Sequence, residues 1–204
     1  AQAGLGLRGE VGAAAAKGIA LPANDIPSLT HYVQVGLDCP SLEEYLKAFD
    51  VTLSVLQDFD SLRRAAYELA EDAAMENVKY MEVRFCPLLH TQKGLSMPQI
   101  VKAVLQGLAD AERQFDITTG VIICGIRHMS PENSIALARL TLDFKNRGVV
   151  AFDLAGAEYD NPAKDHKEAF DIILESNINC TIHAGEAFGP KSIAQAIHYC
   201  GAHR

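Results

Sequence analysis

Four short apolar runs, at residues 80–85, 121–126, 149–154 and 178–182, limit most strongly what this chain can fold into. Their centres, near Glu82, Ile123, Phe152 and Thr181, stand 41, 29 and 29 residues apart, and each gap carries a helix-period pattern. A strand that returns parallel to its predecessor needs a crossover of about a dozen residues or more, nearly always right-handed and usually helical. The order therefore predicts an α/β fold with about four parallel strands and flanking helices.

The segments between the runs carry their own start signals. Ser41 followed by Glu44 reads as a capping box for a helix through Tyr45, Leu46, Phe49, Val51 and Leu53. Ser61 can open a second helix, with Leu62, Ala65, Leu69, Ala73 and Val78 as its apolar stripe. Ser96, Pro98 and Gln99 begin a third, carrying Ile100, Val104, Leu108 and Ala111. Ser130 and Pro131 begin a fourth over residues 135–144, and Gly148 is expected to stop it in the left-handed conformation. Pro162 opens a fifth, and Pro190 a sixth that ends near Gly201.

Before residue 40 the pattern is weaker. The first twenty residues hold seven alanines and five glycines, and the alanine run at 13–16 is too short and mild to span a bilayer. No basic stretch followed by a strong apolar core marks a secretory leader, so a cytoplasmic protein is expected. With 204 residues and 49% hydrophobic composition the chain can fill a substantial core, as one large domain or two small ones. The formal net charge of -8, without any Lys/Arg block, gives no general attraction to nucleic acid or an anionic membrane, which leaves a small molecule as the expected partner. Cys39, Cys86, Cys124, Cys180 and Cys200 are scattered, odd in number and without close pairs, and read as isolated core thiols.

An open doubly wound sheet and a closed eight-stranded barrel both fit this alternation. The barrel gains weight because polar residues recur just past different strands: Arg84 and His90, Arg127 and His128, Asp153 and Glu158, His183 and Glu186. His183 can offer an imidazole nitrogen to zinc while Glu186 stays unligated and moves protons on water or substrate. The competing reading makes His183 a hydrogen-bonded structural residue and Glu186 a loop cap or surface carboxylate. Asp153 is expected to support a metal ligand or fix a loop rather than bind metal directly, and His166 and His198 to face solvent or pack locally. Gly156 would admit a ligand close to the backbone, or serve an ordinary turn. Tyr45, Leu46 and Phe49 form either an apolar lid or simply a buried helix face.

Taken in order, SLEEYLKAFD at 41–50, YMEVRFCP at 80–87, DLAGAE at 153–158 and HAGE at 183–186 resemble the adenosine deaminase family of metal-dependent hydrolase barrels. The resemblance runs from about Gly18 to Arg204 and implies a partial TIM-type (β/α)8 barrel, with residues 1–204 as a single incomplete domain. It puts His183 at a zinc-ligand position and Glu186 at the general acid/base position that addresses the purine ring. Gly156 matches the substrate-contacting glycine after the fourth barrel strand, and Leu46 and Phe49 match apolar residues over the nucleoside pocket. The implied reaction of the complete protein is zinc-dependent hydrolysis of adenosine to inosine and ammonia. The alternatives are a deaminase of adenine, AMP or a modified adenosine, or a noncatalytic nucleoside-binding α/β module.

The family's His-x-His after the first strand and its paired aspartates toward the carboxyl side have no match here, so the chain reads as an internal or incomplete portion. By itself it is expected to be inactive, to bind zinc weakly, and to be poorly stable or to self-associate through exposed sheet edges.

Overall fold

The computed structural model describes Ala14 and residues 18–23, 25–36 and 38–203. The alanine run at 13–16, apart from the buried Ala14, and Arg204 lie outside the described residues. Two compact units result, one from Ala1–Pro40, Glu44–Val83 and Leu88–Thr119, the other from Ser41–Glu43, Arg84–Pro87 and Gly120–Arg204.

The first unit is built on α1 (Ile26–Val33), α2 (Leu42–Val55), α3 (Phe59–Met75) and α4 (Met97–Glu112). α1 has no counterpart in the apolar periodicity, but its cap is legible locally. The Asp25 carboxylate accepts the Ser28 N–H at 2.9 Å, and Pro27 sits in the first turn. α3 starts two residues before the expected Ser61, because Asp58 is the cap and takes the Ser61 N–H at 3.0 Å. It also stops short of Val78: Asn77 turns left-handed at φ 63°, and the Val78 N–H bonds back to Ala73 O. The capping signal for α4 holds, with Gln99 Oε1 accepting both the N–H and the hydroxyl of Ser96.

α3 and α4 approach so closely at Gly107 that a Cβ there would lie 2.0 Å from Arg63 O. Only glycine permits that contact. Around it Leu62, Ala66, Ala70, Ile100, Val101 and Val104 are buried. On the rim the Arg63 and Arg113 guanidiniums both pair with Asp110, holding its carboxyl below the usual range.

The sheet runs in the order β1 (Tyr80–Phe85), β2 (Thr118–Ile126), β3 (Val149–Ala155), β4 (Asn179–Cys180). β3 lies parallel to both neighbours, with Ile123 opposite Phe152 and Phe152 opposite Cys180. The ladder of β4 is shorter than the apolar run suggests. Extended pairing nevertheless continues, since Thr181 N–H donates to Phe152 O and His183 N–H to Leu154 O at 2.9 and 3.0 Å. β2 begins three residues earlier than the run at 121–126.

In the second unit α5 (Pro131–Asp143), α6 (Lys167–Glu175) and α7 (Pro190–His198) supply the helices. Phe152 and Phe170 meet edge to face at 5.3 Å, and Leu137, Leu154, Ile173 and Ile182 are buried with them. α5 ends before the expected Phe144, and Asn146 is the first left-handed residue; Gly148 does turn left-handed, at the entry to β3. Pro162 precedes a 3-10 turn, Ala163–His166, before α6 begins. All five cysteines are free, four of them buried. Among the described residues no helix is long and apolar enough to cross a membrane.

Candidate functional site

Parallel strands deliver the segments that follow them to one end of the sheet. In the second unit these are Arg127 after β2, Gly156 to Glu158 after β3, and His183 to Phe188 after β4. Arg84, near the end of β1, belongs to the same unit.

Asp153, in β3, is wholly buried. Its Oδ2 lies 3.2 Å from Arg84 Nε and 3.0 Å from His183 Nδ1, and the Cys124 thiol points at the same oxygen from 3.8 Å. Burial first, and then the Asp153 charge, push the Cys124 thiol well up, so it stays protonated beside the carboxylate. Asp153 Oδ1 has no hydrogen-bond partner. His183 Nδ1 faces the Asp153 carboxylate at that distance, but the geometry does not make a hydrogen bond. The His183 side chain is 26% exposed, so a small ligand can reach it.

Two opposite charges hold the backbone around His183. Arg127, buried, donates from Nη2 to His183 O at 2.6 Å and from Nη1 to Asn161 O at 2.9 Å. Burial lowers its pKa, and the nearby Glu158 charge acts in the opposite direction. Glu158, also buried, accepts the Gly185 N–H at 2.6 Å on Oε1 and the Ala187 and Phe188 N–H groups on Oε2. Burial raises the Glu158 carboxyl, but the Ser192 hydroxyl and the three amides outweigh it and hold the group below the ordinary glutamate value. Glu186 sits between two of those bonded amides and is exposed.

Gly156 has φ +98°, and a Cβ there would meet Ile126 Cγ2 at 3.1 Å and His128 Nδ1 at 3.4 Å. The backbone conformation alone therefore demands glycine. His183, Asp153 and Gly156 thus belong to one set of strand ends, with Glu186 three residues on. Leu46, half-buried, and Phe49, 37% exposed and edge-on to Tyr45 at 5.8 Å, stand on α2 of the first unit.

The other singled-out histidines have structural places. His90 is buried with Nδ1 2.7 Å from Leu56 O. His166 is buried too, bonded to Ser134 Oγ and Arg127 O, which agrees with local packing. Sequence spacing did not reveal the bracing by Arg127 and Glu158, because their partners are main-chain groups 27 to 56 positions away. The only signal was a charged residue just past an apolar strand. Among the described residues no three His, Cys, Asp or Glu side chains form a group that could hold a metal ion.

The family model described as adenosine deaminase matches residues 11–204. A probable adenosine deaminase of Dictyostelium discoideum is 44% identical over 186 residues, 91% of this chain and 24% of that protein. An adenosine deaminase of Mycobacterium avium is 43% identical over 189 residues, 90% of this chain and 51% of its own length. The chain thus spans about a quarter to about half of these curated relatives' length. Among solved structures, the adenine deaminase of Arthrobacter aurescens superposes with a TM-score of 0.87 at 25% identity, covering 98% of this chain and 60% of that one. The N6-mAMP deaminase of Arabidopsis does so with a TM-score of 0.79 at 25% identity, covering 95% and 58%.

Proposed function

Because the chain belongs to the adenosine deaminase family, we propose that the complete protein is a zinc-dependent hydrolase that converts adenosine and water to inosine and ammonia. One observation carries this reading. The segment after β4 sets His183 beside the buried Asp153 carboxylate and leaves Glu186 exposed three residues on, its neighbouring amides held by Glu158.

The residues present fit zinc as part of its ligand set. The His183 imidazole is a zinc-type donor, and the buried Asp153 carboxylate beside it is placed to orient the ring. Nδ1 of His183 faces Asp153, which leaves Nε2 as the nitrogen turned away from that carboxylate and available to a metal. When bound, zinc supplies Lewis-acid activation of water. Glu186 gives a proton to a purine ring nitrogen, which makes C6 more electrophilic; water adds its oxygen at C6, and a proton from that water goes to the amino group, which leaves as ammonia. Gly156 is assigned to substrate contact on the family resemblance. Leu46 and Phe49 are assigned to the nucleoside's apolar cover on the family resemblance alone.

That resemblance puts the other zinc ligands in a His-x-His and an aspartate outside this sequence. We read residues 1–204 as one incomplete domain of a cytoplasmic enzyme, with a purine nucleoside and not nucleic acid or membrane as its partner. By itself the chain binds zinc weakly and is inactive, since one imidazole does not replace three or more ligands.

Adenosine is favoured over other purines because the relatives named for it are 43–44% identical, against 25% for the adenine and N6-mAMP deaminases. The test is incubation of the complete zinc-loaded protein with adenosine, following absorbance loss together with inosine and ammonia. Equal yields of the two products are expected. Turnover of adenine, AMP or a modified adenosine in place of adenosine would reassign the substrate, and nucleoside binding without product would make the protein a noncatalytic module.

A further inference from the structure

Glu158 lies outside the proposed chemistry, yet it is buried, charged and saturated. A glutamate carboxylate has about four lone-pair sites. Here the Gly185, Ala187 and Phe188 amides and the Ser192 hydroxyl converge on them. A neutral glutamine could not repeat this, because one of its two terminal atoms is a donor that would face an amide donor. The bonded amides flank Glu186 on both sides, while two residues before Gly185 the Arg127 guanidinium holds the His183 carbonyl. The backbone of the loop is thus fixed at His183, Gly185, Ala187 and Phe188. The Glu186 side chain remains exposed.

We propose that Glu158 is a positioning residue for Glu186: its carboxylate locks the main chain on both sides of the proton-transfer residue and so sets where that group stands over the substrate. The proposal rests on the reading of Glu186 as the general acid/base. Glu158 itself touches neither substrate nor metal. Displacing a catalytic group by about 1 Å costs on the order of 100-fold in rate, so a residue that fixes a loop in this way shows itself in turnover more than in affinity.

Two measurements test this. In the complete zinc-loaded protein, Glu158→Ala is expected to lower kcat about 100-fold and Glu158→Gln, which keeps one acceptor, about 10-fold, with KM changed less than about threefold and zinc content unaltered. In the same variants, hydrogen exchange at the Gly185, Ala187 and Phe188 amides is expected to speed up at least about tenfold while β3 keeps its protection. Glu158→Gln keeps the test meaningful where the alanine variant does not fold. Unchanged exchange in the loop overturns the proposal, as does a kcat loss matched by zinc loss or by an equal rise in KM. A wild-type protein that turns over no purine overturns the catalytic reading beneath it, while loop exchange still decides whether Glu158 is the clamp.

Discussion

The loop after β1 and the loop after β4 both place a histidine near the carboxyl end of a parallel strand, and they use it in opposite ways. After β1, the 3-10 turn Pro87–His90 buries His90 against Leu56 O, and neutral Gln57 satisfies the backbone around it by donating to Leu53 O and Leu89 O and accepting from Gln92 N–H. Both side chains there serve main-chain groups. After β4, charged residues do the bracing, Arg127 from one side and Glu158 from the other, and His183 and Glu186 are left accessible. A polar residue just past a strand is therefore no sign of a site by itself. What separates the two loops is whether the side chain still has capacity after the backbone has been satisfied.

The largest test of that contrast is Glu186→Gln in the complete protein. Loss of a proton-transfer group is expected to lower kcat about 1,000-fold with folding unchanged. A variant within about threefold of wild type would place Glu186 on the same footing as His90. Next is Asp153→Asn, which removes the carboxylate facing His183 Nδ1 and is expected to weaken zinc binding about 10- to 100-fold, read by competition with a chelating dye.

The β1 loop should respond in stability instead. His90→Leu leaves Leu56 O without its partner and is expected to cost about 1–3 kcal/mol in urea unfolding, with kcat unaffected. Burial, partly offset by the Leu56 bond, lowers the His90 pKa below 6.5 in the folded chain. The unfolded chain therefore binds more protons below that pH, and the contribution of neutral His90 is present above 6.5 and lost as pH falls through the folded value. His90→Leu should flatten that part of the stability profile. The smallest effect concerns the sheet edges. β4 is an edge strand, but at Cys180 its N–H is taken by His203 Nδ1 and its carbonyl accepts the His203 N–H. Sedimentation of the 204-residue chain is expected to show weak concentration-dependent association, raised slightly by His203→Ala.

The strands were legible because long apolar runs at crossover spacing have few alternatives, and β1 and β3 match their runs to within a residue. Capping signals that use local atoms were legible as well, as at Ser96 and Gln99. The errors fell where two local solutions compete. Asp58 caps a helix that Ser61 could also have opened, Asn146 turns left-handed before Gly148, and α1 relies on Asp25 and Pro27 where apolar periodicity is thin.

The sequence by itself determined the α/β order and the family, because each is written in local runs and motifs, and it set His183 three positions before Glu186. Only the tertiary structure decided that Asp153 is the buried partner of His183, that Gly156 is required by a left-handed backbone close to Ile126 and His128, and that Arg127 and Glu158 brace the loop from opposite sides. Those facts depend on which strand lies beside which, and in what register. A carboxylate acquires its role from donors brought to it across the sheet, and no local pattern encodes a main-chain amide 27 residues away.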